Sequence, residues 1–178
     1  MTALVLPDVD LYESWAATVA EFEPEQMHGS GWWHLQATAR DTSPAGCRAW
    51  VESLRSYGDH DVELPDGLVP CDYYWITTGD PAEMVGFLAL RHSLNEFLLE
   101  EGGHIGFSIR PSRRRRGHAS RALALAVAKA GERGLERVLV TCDVDNRASA
   151  GTIEVNGGVF EDVRNGKRRY WITTRDAG

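Results

Sequence analysis

His104-Ile105-Gly106-Phe107-Ser108-Ile109, then Arg110-Pro111-Ser112, then Arg113-Arg114-Arg115-Arg116-Gly117-His118-Ala119-Ser120, is the stretch that decides how this chain folds. Its first six residues read as a strand, and the proline ends it. Past Gly117, Ala119, Leu123, Val127 and Ala130 recur at helical spacing and leave Arg121, Lys129, Glu132 and Arg133 for water, with Gly134 closing the helix. A strand, a basic glycine loop and a helix start form an anion site. The first helical turn offers backbone N–H groups without internal partners, at the positive end of the helix dipole. Gly117 has no Cβ to keep the backbone from a phosphate, and Ala119 is small enough for a similar approach.

Working outward, the N-terminal side opens with a short apolar run, Leu4-Val5-Leu6, suited to a strand. Leu11, Trp15, Val19 and Phe22 then recur at steps of three and four and predict a helix. A loop rich in Gly and His follows. Ser43-Pro44 supplies an N-cap and a first-turn proline for a second helix carrying Cys47, Trp50, Val51 and Leu54, which ends near Tyr57-Gly58. Residues 59–70, with two prolines, a glycine and four acids, read as an irregular excursion. Runs at 73–78 and 84–91 around Gly79-Asp80-Pro81 read as a hairpin. On the other side, 137–142 is a strand, 146–155 a short helix, and 159–164 with 168–173 a hairpin about Asn165-Gly166. The order β-α-α-β-β-β-α-β-α-β-β shows no internal repeat and no linker long enough to separate a second domain from the first.

The 178 residues suit one domain of ordinary soluble composition, 43% hydrophobic and 25% charged. No apolar run long enough to span a membrane and no signal-peptide pattern occur, so a cytoplasmic location and no membrane partner are expected. Cys47, Cys71 and Cys142, odd in number and far apart, fit neither a disulfide framework nor a zinc site and read as reduced thiols, and no metal is expected. Charge is polarised. Residues 1–101 hold four arginines against eighteen acids, a balance of −14, whereas 102–178 hold fifteen Lys/Arg against eight acids, a balance of +7. That asymmetry assigns an anionic ligand to the second half and a cationic one to the first.

The chain lacks G-x-x-x-x-G-K-[ST], and lacks G-x-G-x-x-G after its first strand, so neither an NTPase loop nor a dinucleotide fold is indicated. Arg114-Arg115-Arg116-Gly117-His118-Ala119 instead resembles the pyrophosphate loop of the GCN5-related N-acetyltransferases (GNAT), Gln/Arg-x-x-Gly-x-Gly/Ala. Gly106 to Pro111 looks like the family's fourth strand and Val138 to Cys142 like its fifth. Asn146-Arg147-Ala148-Ser149 with Glu154, Asn156 and Gly157 is similar to its N-x-x-S…E-x-x-G segment. The resemblance, over about residues 84–173, implies an α/β (α+β) fold: one domain, 1–178, with a mixed, mostly antiparallel central sheet flanked by helices and splayed where acetyl-CoA enters. Residues 1–101 would form the acceptor side and 102–178 the acetyl-CoA side. Phe107, Ser108, Ile109, Arg114, Arg115, Arg116, Gly117, His118, Ala119, Ser120 and Asn146 would bind the cosubstrate, and a backbone N–H near Ile109 would hold the acetyl carbonyl. The implied reaction is transfer of acetyl from acetyl-CoA to a primary amine by direct attack in a ternary complex.

Acetyl transfer needs a neutral amine, a polarised thioester and a proton for the leaving thiolate. His104 is a candidate base, or else caps its strand; Glu100 and Glu101 lie just before it. His118 reads as a cofactor or solvent contact. For the acid, the tyrosine of many family members is replaced by Ile153, leaving Ser149, a solvent molecule or no dedicated acid, with Tyr170 available only if the last hairpin bends inward. Trp32-Trp33 cannot both face one core, so one is expected beside the acceptor pocket. A CoA-binding sensor without catalysis and a nucleic-acid binder acting through the arginine run are the alternatives. The acidic balance elsewhere and the lack of aromatics interleaved with the arginines disfavour nucleic acid. A homodimer is an allowed assembly.

Overall fold

A computed structural model describes residues 1–32, 41–59 and 61–174. The elements are β1 (Ala3–Val5), α1 (Tyr12–Glu21), α2 (Pro44–Ser56), β2 (Cys71–Thr78), β3 (Glu83–Arg91), β4 (Ile105–Ile109), α3 (His118–Glu132), β5 (Arg137–Asp143), α4 (Arg147–Glu154), β6 (Val159–Arg164) and β7 (Lys167–Thr173). This order is the one read from the sequence. Local chemistry sets the boundaries: the Ser43 hydroxyl accepts from Gly46 N–H to cap α2, and Gly134, at φ 86°, ends α3 while Leu135 N–H bonds Ala130 C=O.

The strands form one sheet in the order β1-β2-β3-β4-β5-β7-β6. Every neighbouring pair is antiparallel except β4 and β5. Helices cover both faces, so the central strands are apolar throughout rather than alternating. Tyr73, Trp75, Phe87 and Ala89 pack with Trp15, Phe22 and Trp50 of the α1/α2 layer. Their neighbours Tyr74, Ile76, Leu88 and Leu90 turn to the α3/α4 layer, against Ala122, Leu123, Ala126 and Ile153. The buried stripe of α3 is Ala122, Leu123, Ala126 and Ala130, with Ala119 and Val127 only half-buried at its flank. The helix is thus rotated slightly from its expected facing.

The divergence of β4 and β5 matters most for function. Among the described residues, Ile105 with Val140 is their one registered pair. β4 follows β3 from Ile105 to Ile109, and β5 follows β7 from Arg137 to Asp143. Each strand keeps the twist of its own antiparallel partner, so the two halves of the sheet diverge and leave a V-shaped opening.

Candidate functional site

Two cavities fill that opening. The larger, about 830 Å³, lies between β4, the arginine loop and α4; the smaller, about 260 Å³, lies between β4 and β5. Of the eleven residues expected to bind the cosubstrate, ten line the larger cavity, and Arg116 stands outside it.

Backbone groups provide much of the larger wall. Arg91 N–H bonds His104 C=O, and Arg110 N–H bonds Val85 C=O. By the alternation of an antiparallel ladder, even-numbered β4 residues therefore face β3, whereas Phe107 and Ile109 turn their N–H groups toward the opening. The Ile109 carbonyl accepts from Arg114 Nε at 2.9 Å. An extended ligand can thus pair with β4 through the groups β5 leaves unpaired.

At the far end, Gly117 precedes α3 in a left-handed conformation (φ 80°, ψ −1°), and a Cβ there would meet nothing within 4 Å. The first intrahelical acceptor is its carbonyl, bonded by Arg121 N–H, so the N–H groups of His118, Ala119 and Ser120 point outward at the helix N-terminus. The arginines divide the work. Arg110 and Arg113 both reach Glu83 at 2.5 Å, and Arg114 pairs with Glu25 at 2.5 Å. These fasten the loop. Arg115 and Arg116 are exposed and form no ion pair among the described residues. His118 is tied through Nδ1 to the Thr2 hydroxyl at 2.9 Å.

The expected catalytic residues scatter. His104 lines neither cavity: it is 6% exposed, and its Nδ1 accepts Leu139 N–H at 2.9 Å, so it serves as the strand cap. Burial, then Arg91, lowers its pKa from 6.5 to about 4. The folded state therefore binds fewer protons than the unfolded chain between those values. Stability should fall as pH drops below 6.5, by up to about 3 kcal/mol near pH 4 at about 1.4 kcal/mol per unit. Denaturant unfolding at pH 7 and pH 4.5 checks this; His104→Gln, which keeps an acceptor for Leu139 but does not titrate, should lose that share of the slope.

Glu100 is drawn away by Arg164 at 2.7 Å. Glu101 lines the smaller cavity, where its Oε1 accepts from Asn165 Nδ2 at 3.2 Å. Both belong to a π-helical turn, Leu98–Gly102. Buried Arg169 holds that turn: its Nε donates to Leu99 C=O at 3.0 Å and its Nη1 to Asp162 at 2.8 Å. Ser149, in the first turn of α4, lines both cavities, as does Asn146, whose Oδ1 caps the helix at Ser149 N–H.

Ile153 is fully buried in the core, and Tyr170, 1% exposed, bonds Glu154 and lines neither cavity. Cys142 lines the smaller cavity, but burial raises its thiol pKa. Trp32 packs edge-on against Trp50 at 4.6 Å, while Trp33 lies outside the described residues. The smaller wall carries Glu101 and Asp143 against Arg91 and Lys167. Three of the eighteen acids of the first half, Glu21, Glu25 and Glu83, pair instead with the arginine segment. His28, in the Gly/His loop, lines both cavities. Nothing local in the sequence marks it.

Among the described residues, no helix is long and apolar enough to cross a membrane, and no group of three or more His, Cys, Asp or Glu could hold a metal ion. The sequence matches the family model of the acetyltransferase (GNAT) domain over residues 7–159. No curated protein matches the chain. Among solved structures, the fold is similar to Mycobacterium smegmatis RimJ in complex with CoA-disulfide (TM-score 0.66, 18% identity, 97% of this chain and 81% of that one). It is also similar to a ribosomal-protein-S5-alanine acetyltransferase from Vibrio fischeri (0.66, 15%, 99% and 94%). The Microcin C7 self immunity acetyltransferase MccE, in complex with acetyl-CoA and AMP, is a third (0.65, 13%, 97% and 92%). At these identities the likeness is one of fold.

Proposed function

The chain belongs to the acetyltransferase (GNAT) domain family, and on that premise we propose that it is a cytoplasmic N-acetyltransferase moving acetyl from acetyl-CoA to a primary amine by direct attack in a ternary complex. The observation that carries this reading is the V between β4 and β5, with unpaired strand N–H groups along one arm and a helix N-terminus at its end. Pantetheine pairs with β4, the pyrophosphate rests on the first turn of α3, and the N–H of Phe107 or Ile109 polarises the thioester carbonyl. The acceptor enters the smaller cavity, which both halves of the chain line, and there the Glu101 carboxylate attracts its ammonium form. A cavity of about 260 Å³ suits one terminal residue or a compact amine. The N-terminal amine of a peptide is the favoured acceptor, since structural neighbours are named as ribosomal-protein acetyltransferases.

Calorimetry with acetyl-CoA, followed by thiol release over a panel of serine- and alanine-initiated peptides, lysine peptides and polyamines, tests this. Binding without turnover on any amine means a sensor; oligonucleotide binding without CoA binding means a nucleic-acid protein. Within the enzyme reading, Arg115→Ala and Arg116→Ala should each raise the KM for acetyl-CoA about threefold to tenfold, and the rise should shrink as salt increases. A KM unchanged at low salt would remove these arginines from cosubstrate binding.

A further inference from the structure

Acyl transfer brings the acceptor nitrogen into bonding distance of the thioester carbon, so the reacting atoms must lie where the two cavities join. Among the described residues, four line both: His28, Phe107, Asn146 and Ser149. Phe107 brings only backbone polarity, the Asn146 carbonyl oxygen is engaged in capping α4, and the Ser149 hydroxyl is too weak an acid and base to hold a proton in transit. His28 is the one titratable group of the four. We infer that His28 takes the proton from the acceptor nitrogen and delivers it to the sulfur of the departing coenzyme A, an inference that rests on the acetyl-transfer reading above.

Its position is well supported. The His28 carbonyl accepts from the Ser108 hydroxyl at 2.7 Å. Gly29 lies flat on β4, where a Cβ would come within 2.3 Å of the Gly106 carbonyl oxygen. The loop is anchored again where Trp50 Nε1 donates to Ser30 C=O at 3.0 Å. The charged groups acting on the imidazole are Lys167 from β7, Asp143 from β5 and Arg91 from β3; Glu101 shares the smaller cavity with it, and Glu25, Arg113, Arg114 and Arg115 share the larger. His28 stays exposed to the cleft, and partial desolvation there, with Lys167 and Arg91 opposing Asp143, lowers its pKa from the usual histidine value. The ring is therefore neutral at pH 7, with one nitrogen free to accept and the other able to donate.

The ammonium form first releases one proton to solvent water, and from the neutral amine the step balances without another reactant. The amine lone pair forms the N–C bond, and the C–S electron pair departs on sulfur. The proton released from nitrogen moves to the unprotonated imidazole nitrogen, and the imidazolium then protonates the thiolate. Amide and free thiol result, with His28 neutral again. This also accounts for the buried Ile153: a proton carried from nitrogen to sulfur by one side chain needs no separate tyrosine acid.

The test uses the full chain, acetyl-CoA and the serine- and alanine-initiated peptides. H28Q should lower kcat about 100-fold to 1000-fold at pH 7, leave the acetyl-CoA Kd within about twofold, and erase the limb of kcat/KM below pH 6.5. Added imidazole should partly restore H28A. A kcat within about threefold of wild type, with that limb retained in H28Q, overturns the inference. If neither variant folds, the wild-type profile decides, because a profile with no ionisation below pH 6.5 excludes His28 as the proton carrier. Failure of the acetyltransferase reading is distinguishable: wild-type protein then binds no acetyl-CoA, or binds it and acetylates nothing, and the His28 role falls with it.

Discussion

Gly117→Val should weaken acetyl-CoA binding about 100-fold or more, the loss expected when one or two charge-assisted hydrogen bonds to phosphate, each about 1.5–3 kcal/mol, are removed. Its Cβ would meet nothing within 4 Å in the protein itself. In the proposed binding mode the pyrophosphate takes that open space, so the added carbon would collide with ligand and not with fold. Valine carries a second penalty, since φ is +80° there and a β-branched residue in the left-handed region costs about 1–3 kcal/mol of stability. Gly117→Asn separates the two effects, because asparagine tolerates that conformation while still projecting a side chain into the cleft. Calorimetry and thermal melts of both proteins should show affinity lost in each and stability lost mainly in the valine variant. A folded Gly117→Asn protein with wild-type acetyl-CoA affinity would remove the loop from the cosubstrate site.

Gly29→Ala should act in the opposite order, on the fold first and on the site through it. A Cβ at residue 29 would lie 2.3 Å from the Gly106 carbonyl oxygen and 2.9 Å from its carbon, and φ is +79°. Both obstacles are backbone in the middle of the sheet, so the loop, not β4, must move. Overpacking of about 1–3 kcal/mol adds to the conformational strain. A total near 2–5 kcal/mol corresponds to a fall in Tm of about 5–15 °C for a chain of this size. Gly67→Ala is the control, since φ there is +81° but a Cβ would meet nothing within 4 Å. The excess loss in Gly29→Ala over Gly67→Ala measures the clash. Lifting the loop also moves His28 away from the junction of the cavities, so kcat should fall in Gly29→Ala and hold in Gly67→Ala. Equal Tm values for the two variants would mean that the loop does not lie against β4 as described.

Much of this was legible in the residues themselves, because the signals are local. Ser43-Pro44 starts a helix, Gly134 ends one, and Asn165-Gly166 turns a hairpin through contacts only a few positions apart. The anion loop is legible for the same reason: strand, Gly117 and the first turn of α3 are continuous in the chain, so the order of residue types implies their geometry. The catalytic surroundings are not continuous. His104 and Glu101 are three residues apart, yet one caps a strand at Leu139 and the other faces a cavity. Adjacent Glu100 and Glu101 are separated by Arg164 and Asn165, 64 positions away, which hold one outside the cavity and one in it. His28 reaches the junction of the two cavities because Ser108, 80 residues on, bonds its carbonyl and Gly29 has no Cβ to strike the Gly106 carbonyl. The charge asymmetry likewise changes meaning once folded, since Glu21, Glu25 and Glu83 turn back onto the arginine segment instead of walling the acceptor site. Periodicity and caps depend on neighbours along the chain and can be read from it, whereas which titratable groups meet depends on how strands far apart in sequence twist past one another, and only the tertiary structure decided that.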